Sequence, residues 1–130
     1  MIKFDFSMSE SDNLKAEKII CQNNYMYPDV LEITGKFQII INETIFFSEP
    51  YFPVLEFMKF ALMWINCNDK SKKMIYSSIE TENNPLIVFI EKDEKWIIHS
   101  PWQKCECPTV FDREELENEI LHFLKNLIRE

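Results

Sequence analysis

A run of alternating apolar and polar residues at positions 30–42 limits the folds open to this chain. Its apolar face carries Leu31, Ile33, Gly35, Phe37, Ile39 and Ile41, and its polar face carries Glu32, Thr34, Lys36 and Gln38. Successive side chains of a strand point to opposite faces, so the run predicts a long strand with one face in water, as in antiparallel sheets. The only glycine, Gly35, lies within the apolar face and predicts a bulge, a sharp twist or the close approach of another element.

The segment after this strand is typical of a hairpin. Asn42-Glu43 favours a turn that leads into a short return strand at 45–47. Residues 48–53, which include two prolines, are expected to break the sheet and lead into a helix.

The helix predicted over residues 53–66 is apolar on nearly every side. Pro53 suits its first turn, where a missing backbone N–H costs nothing. Only Glu56 and Lys59 interrupt its apolar surface. A helix that is hydrophobic all round is buried, so we expect this one to pack centrally across the sheet.

Three further strands are predicted at 74–80, 86–91 and 95–100, separated by turns at 83–85 and 92–94. Short connections favour neighbouring antiparallel strands, so these strands form a meander. The middle strand is continuously apolar and is expected to be covered on both faces.

The chain ends in an amphipathic helix. Asp112 is placed to cap it, Glu115 completes a capping box, and Phe111 can pack against Leu116. Its apolar stripe consists of Leu116, Ile120, Phe123, Leu124, Leu127 and Ile128. This stripe should dock onto the sheet.

The first residues add a short strand at 2–6 and a weak pattern at 9–24 that fits either a short helix or a meandering loop. The whole pattern predicts a single domain over residues 1–130. Its fold class is α+β, with a mostly antiparallel sheet (a hairpin plus a three-stranded meander) packed against a buried central helix and a C-terminal amphipathic helix.

The chain is acidic, with 22 acidic and 14 basic residues and a net charge of −8. Because such a field repels phosphate, we expect neither nucleic acid nor an anionic membrane as a partner. A basic protein partner fits this charge, since opposite fields steer encounter. A purely solubilising role for the charge is the alternative.

The distribution of apolar residues along the sequence also indicates a cellular compartment. The first residues alternate apolar and polar side chains and lack the apolar run of a signal peptide. The densest apolar stretch, 51–65, is too short and too charged to span a bilayer. We therefore expect a cytoplasmic protein whose four cysteines are reduced thiols.

No catalytic motif is visible in the sequence. One glycine cannot build a phosphate-binding loop or a dinucleotide fingerprint, and no Gly-x-Ser-x-Gly elbow is present. We expect a protein that is not an enzyme and that carries no cofactor.

The residues that most resemble a metal site are Cys105, Cys107 and His99, with Cys67 and His122 as distant candidates. Zinc sites usually separate paired cysteines by two to four residues, whereas one residue separates this pair. We therefore expect no bound metal. The same residues would have to supply a Cys–His catalytic pair, and no positional signature supports that chemistry.

Carboxylates and one aromatic residue complete the candidate groups. Glu80 and Glu82 share a face of an extended chain, and Glu49 and Glu56 flank the start of the apolar helix. Either pair resembles a glycosidase-type arrangement, but an acidic chain offers many such pairs on solvated surfaces. Trp102 lies just beyond the third meander strand, where it either fills the core or anchors a partner.

Three stretches resemble a group of small uncharacterised bacterial proteins: EPYFPVLEF at 49–57, ENNPL at 82–86 and WIIHSPW at 96–102. More loosely, the whole layout resembles immunity proteins of bacterial polymorphic toxin systems. That resemblance implies a small, acidic, cytoplasmic α+β domain that binds and neutralises a cognate toxin, often a nuclease. It transfers no catalytic residue.

The leading hypothesis is a non-enzymatic binding protein, an immunity protein that covers the active site of a basic toxin. Its expected contact residues are Glu80, Glu82, Glu91, Asp93, Glu94 and Trp102. The alternative is a small ligand-binding or regulatory domain with an apolar pocket between the helix at 53–66 and the sheet. Unpaired sheet edges leave both a monomer and a homodimer open.

Overall fold

The computed structural model describes residues 1–27, 29–79, 81–106 and 109–128. Over these residues the chain forms two three-stranded antiparallel sheets and four helices, so the predicted α+β class is confirmed. In chain order the elements are β1 (Ile2–Ser7), α1 (Glu10–Gln22), α2 (Asp29–Glu32), β2 (Gly35–Ile41), β3 (Thr44–Phe52), α3 (Val54–Ile65), β4 (Met74–Tyr76), β5 (Ile87–Lys92), β6 (Lys95–His99) and α4 (Arg113–Ile128).

The first sheet has the strand order β1-β2-β3, and both pairings are antiparallel. In β2, Phe37, Ile39 and Ile41 are buried, while the residues between them are exposed or half-buried. The predicted alternation is therefore confirmed over 35–41.

The predicted strand is wrong over its first residues, because Asp29–Glu32 form the short helix α2. Val30 and Ile33 are only 0% and 2% exposed. They lie three residues apart, a spacing that places two side chains on one face of a helical turn. Over so few residues the same apolar positions fit the period of a strand and the period of a helix. Packing against the core decides which of the two structures forms.

Of the two structures that the sequence left open for residues 9–24, the helix is the one observed, over Glu10–Gln22. The Ser9 hydroxyl accepts a hydrogen bond from the Asp12 N–H at 3.1 Å and caps the start of α1. Asn23 ends the helix in the left-handed conformation. Ala16 is the one fully buried residue of this helix, and the half-buried Ile19 and Ile20 pack against the core.

Gly35 marks the close approach of another element, one of its three predicted roles. A Cβ atom at this position would lie 2.8 Å from the Ser7 carbonyl oxygen and 3.0 Å from Met8 Cβ. The pairing of β2 with β3 also shifts register between Gly35 and Phe37. The end of β1 therefore passes over Gly35 at a distance that only a glycine permits.

We expect Gly35→Ala to lower the free energy of unfolding by about 1–3 kcal/mol, because the backbone at Ser7 must move to admit the methyl group. Urea denaturation followed by tryptophan fluorescence measures the change. Lys36→Ala, at the exposed neighbouring position, is the control and should stay within about 0.5 kcal/mol of the parent. Equal stability of Gly35→Ala and the parent would contradict the close approach.

Strand β3 does not stop at residue 47 but continues to Phe52. The prediction that residues 48–53 break the sheet is thus wrong for all of them except Pro53. The reason is that β3 is an edge strand, where a proline such as Pro50 removes no necessary ladder hydrogen bond. This extension includes Glu49, which is half-buried, and Tyr51, which is exposed.

The second sheet has the order β4-β5-β6, and its pairings are those of the predicted meander. Strand β4 is shorter than predicted, because residues 77–79 leave the sheet. The Asn84 side chain binds this segment: its Oδ1 accepts from the Ser78 N–H at 2.9 Å and its Nδ2 donates to the Ser78 carbonyl at 2.7 Å. The Asn84–Pro85 peptide bond is cis.

Helix α3 packs against both sheets, as expected of the central helix. The Phe57 ring contacts Phe37 of β2 at 5.4 Å and Tyr76 of β4 at 5.5 Å between centroids. Trp64 contacts Phe89 and Trp96 of the second sheet at 5.4 and 5.2 Å. In the described part of the chain, no helix is both long and apolar enough to cross a membrane.

The expectation that α3 is buried all round is wrong at Met63. Met63 is 63% exposed, so one side of the helix faces solvent. Glu56, one of its two charged residues, is instead fully buried. Polar contacts for the Glu56 carboxylate, rather than an apolar environment, permit this burial.

Helix α4 buries Leu116, Ile120, Phe123 and Leu127, in agreement with the predicted stripe. The Phe123 ring contacts the Phe6 ring of β1 at 5.4 Å between centroids. The helix therefore docks beside the first strand.

Candidate functional site

The three stretches that carry the sequence resemblance meet around one groove of about 130 Å³, called the aromatic groove below. Its walls are Glu49, Tyr51, Phe52, Pro53, Ser78, Thr81, Leu86 and Trp102. The outer part of β3 supplies one wall, the 78–86 segment another, and the segment after β6 the third. Residues far apart in the sequence thus form one surface.

Trp102 is held in the groove by a tight turn after β6. The buried Ser100 accepts the Trp102 N–H on its hydroxyl at 3.1 Å, and the Ser100 N–H donates to Gln103 Oε1 at 3.0 Å. The Lys104 N–H then donates to the Phe46 carbonyl on the outer edge of β3 at 2.7 Å. These bonds fix the indole parallel to the Phe47 ring, 6.4 Å away and tilted by 16°.

Trp102 therefore both packs against the core and remains accessible. It is half-buried, and its Phe47 contact belongs to the core cluster. It also lines the aromatic groove. The two roles that the sequence left open are compatible.

The opposite wall is the exposed part of an edge strand. Tyr51 is 81% exposed, a large exposure for an aromatic side chain. Glu49 is half-buried, and within the described ranges its side chain has no hydrogen-bonding or ionic partner. The groove therefore presents an aromatic ring and an unpaired carboxylate on the same strand.

A second surface forms where the β5–β6 turn meets the start of α4. Trp96 and Phe111 exchange two backbone hydrogen bonds of 2.8 Å, which bring the two segments together. Lys95 Nζ also contacts Asp112 Oδ1 at 2.5 Å. The carboxylates of these two joined segments are called the acidic pole below: Glu91, Asp93, Glu94, Asp112 and Glu114, which are exposed, and Glu115, which is half-buried.

Carboxylates outnumber cations by six to three in the two segments 91–95 and 112–115. Lys92 is exposed in the turn, whereas Lys95 and Arg113 bind neighbouring groups. The Asp112 carboxylate raises the pKa of Lys95 through a hydrogen bond and through its charge. The Arg113 guanidinium lies over the Trp64 ring at 4.0 Å and pairs with Glu117 at 2.6 Å. Its side chain is 14% exposed, so its charge is directed into the protein. The exposed carboxylates therefore dominate this surface.

Of the six residues expected to contact a partner, four lie on these two surfaces and a fifth lies beside one of them. Glu91, Asp93 and Glu94 are exposed at the acidic pole. Trp102 lines the aromatic groove, Glu82 is exposed next to Thr81 of its wall, and Glu80 lies outside the described residues. Because β5 and β6 run between the surfaces, roughly 17 Å of strand separates them.

In the described ranges, no three or more His, Cys, Asp or Glu side chains form a group that could hold a metal ion. Cys105 Sγ lies 3.8 Å from the Ile45 carbonyl oxygen, and Cys107 lies outside these ranges. His122 contacts Asn126 on α4 at 3.3 Å, and Cys67 borders a different groove.

No local sequence pattern predicts the polar cluster around Glu56, in which Glu56 and Tyr76 are buried and Tyr27 is 40% exposed. Glu56 Oε1 accepts the Tyr76 hydroxyl at 2.6 Å and Glu56 Oε2 accepts the Tyr27 hydroxyl at 2.7 Å. Burial and these bonds raise the pKa of Tyr76, and they raise the pKa of Tyr27 to about 12. The cluster ties the segment before α2 to α3 and β4. The sequence feature that could have indicated this cluster is the single glutamate, Glu56, in the first turn of an apolar helix.

Tyr27 gives this cluster a testable pH dependence. Its folded pKa lies above the usual 10.0, so the stability that it contributes is fully present below pH 10 and is lost as the pH rises toward about 12. We expect the parent to lose more stability between pH 10 and 12 than Tyr27→Phe, which has no hydroxyl to ionise. Urea denaturation at each pH measures the difference.

Tyr51→Phe is the matched control for the pH measurement, because its exposed hydroxyl lies on another element. It should follow the parent. A constant stability difference between the parent and Tyr27→Phe over this range would contradict the assignment.

Comparison with known proteins gives a family and nothing finer. No curated protein matches the chain significantly. No solved structure does so either. A family model matches residues 2–130, and the chain therefore belongs to the family described as Domain of unknown function (DUF7878).

Proposed function

We propose that this protein is a non-enzymatic binding domain whose partner is a basic protein, and that the acidic pole is the main contact surface. The observation that supports this proposal most directly is the Trp96–Phe111 bridge, which joins the β5–β6 turn to the start of α4. This bridge concentrates carboxylates from two segments on one face of a chain with a net charge of −8.

Electrostatics explains why such a surface suits a protein partner. A single exposed ion pair contributes only about 0.2–1 kcal/mol, so useful affinity requires several together. A concentrated negative field also raises the association rate of a basic partner. The acidic pole offers both the number of charges and their concentration.

Within this proposal the protein acts as a cytoplasmic immunity protein. The partner is a toxin with a basic, nuclease-type active site, which the acidic pole covers. This role is supported by the sequence resemblance to immunity proteins and by the net charge of −8. A nuclease must attract the phosphates of its substrate, so its active site suits an acidic inhibitor.

Co-expression with the product of the adjacent gene tests this role. We expect that product to be toxic alone and harmless with the parent protein. A triple charge reversal at the acidic pole, Glu91→Lys, Glu94→Lys and Glu114→Lys, should lower the association rate roughly tenfold to a hundredfold and restore toxicity. Stopped-flow kinetics at two salt concentrations measure the rate.

The control carries the same charge change elsewhere: Glu10→Lys, Glu32→Lys and Glu43→Lys, all exposed. Its association rate should fall only by the small amount that the change in net charge causes. Equal losses in both triple variants would reject the acidic pole as the contact surface. A harmless neighbouring gene product, or toxicity that persists beside the parent protein, would reject the immunity role.

One observation favours a second function, the binding of a small apolar anion. A groove of about 280 Å³ lies between α3 and β4, where the sequence placed the alternative pocket. Its walls are Phe60, Met63, Trp64, Cys67, Lys72, Lys73, Met74 and Ile75. Two lysines beside an apolar surface in an acidic protein suit a carboxylate with a short alkyl chain.

Thermal shift with decanoate tests this second function. At ten times its dissociation constant, decanoate should stabilise the fold by about 1.4 kcal/mol and raise Tm by roughly 4 °C. Met63→Glu should abolish the shift, while Met26→Glu, at another exposed methionine, should retain it. An equal shift with decanol, which has no carboxylate, would contradict the role of the lysines.

A further inference from the structure

We propose that the aromatic groove receives one arginine side chain of the basic protein partner. This inference rests on the proposed function and adds an anchor to it. The acidic pole would attract the partner, and the aromatic groove would hold one of its side chains. Three properties of the groove lead to this assignment: its aromatic walls, its unpaired carboxylate and its size.

The walls suit a planar cation. Tyr51 and Trp102 line the same groove from two different segments, and Tyr51 is 81% exposed. Guanidinium groups stack on such rings through cation–π attraction, and Arg does so more often than Lys. The Trp102 ring is already fixed against Phe47, so little side-chain freedom is lost on binding.

The charge of the groove selects a cation over a neutral group. Among the described residues that line this groove, Glu49 is the only one with a carboxylate, and none is a lysine, arginine or histidine. Glu49 is half-buried, and within the described ranges its side chain makes no hydrogen bond or ion pair. A partly desolvated carboxylate without a partner favours a donor that can bind it in a bidentate manner, which is the geometry of arginine.

The size excludes a typical small-molecule ligand. Pockets for metabolites and drugs usually occupy about 300–1,000 Å³, whereas this groove has about 130 Å³. A groove of that volume admits one side chain that projects from a larger surface, as anchor residues do at protein interfaces. Its position, roughly 17 Å along the strands from the acidic pole, lies within the reach of a single standard interface.

A blocked Gly-Arg-Gly peptide tests the groove without requiring the natural partner. Titration into the ¹⁵N-labelled full-length protein should shift the Trp102 indole N–H and the Tyr51 amide signals saturably. A dissociation constant of about 1–10 mM is expected for one side chain. The same peptide with citrulline, which has the shape of arginine without its charge, should bind at least tenfold more weakly.

Variants assign the contact to individual groups. Tyr51→Ala and Glu49→Gln should each weaken the arginine peptide at least fivefold, and Tyr51→Phe should retain binding because it keeps the ring. Glu43→Gln, an exposed charge removal at the other end of β3, is the control and should bind as the parent does. Equal binding of arginine and citrulline, an absence of saturable shifts, or full binding by Tyr51→Ala would each overturn the proposal.

The outcomes for the groove and for the proposed function are separable. If no basic protein binds but the arginine peptide behaves as expected, the proposed function fails and the arginine site stands. If a basic partner binds through the acidic pole and Tyr51→Ala binds that partner equally well, the proposed function stands and the anchor is rejected.

Discussion

Phe57 lies where the two sheets and the last helix meet. Its ring contacts Phe4, Phe37 and Phe52 of the first sheet, Tyr76 of the second and Phe123 of α4. The strands of one sheet do not pair with those of the other. Helix α3 therefore joins the two sheets, and the ring contacts of Phe57 and Trp64 fix their relative position. Both candidate surfaces depend on this arrangement, because each combines residues from elements that α3 holds in place.

Local patterns in the sequence predicted the elements wherever one period dominates. The alternation at 35–41 and the apolar stripe of α4 both describe long elements with one buried face. Errors arose where the same residues fit two structures. The spacing of Val30 and Ile33 fits a helical turn as well as a strand. Pro50 suggested a break in the sheet, but the position of β3 at the edge removed the cost of that proline.

The candidate site was less predictable than the fold. Trp102 was identified from its position after a strand, but its neighbours Glu49 and Tyr51 lie on another sheet and were not connected with it. An acidic chain contains too many carboxylates for sequence alone to group them. The bridge between Trp96 and Phe111 makes Glu114 a neighbour of the β5–β6 turn, and no local pattern encodes that contact. Glu56 was read as an interruption of an apolar helix, because its two tyrosine partners lie 29 and 20 residues away in the sequence.

The turn that holds Trp102 also shields part of an exposed strand. Lys104 donates its N–H to Phe46 on the outer edge of β3, and on the far side of the same sheet Glu119 accepts the Phe4 N–H of β1 at 2.8 Å. Unprotected strand edges are templates for aggregation, and this chain is rich in phenylalanine and isoleucine. A substitution that loosens the Ser100–Gln103 turn would therefore disturb the groove and expose a β3 edge together. Selection against self-association would then preserve the shape of the groove independently of anything that the groove binds.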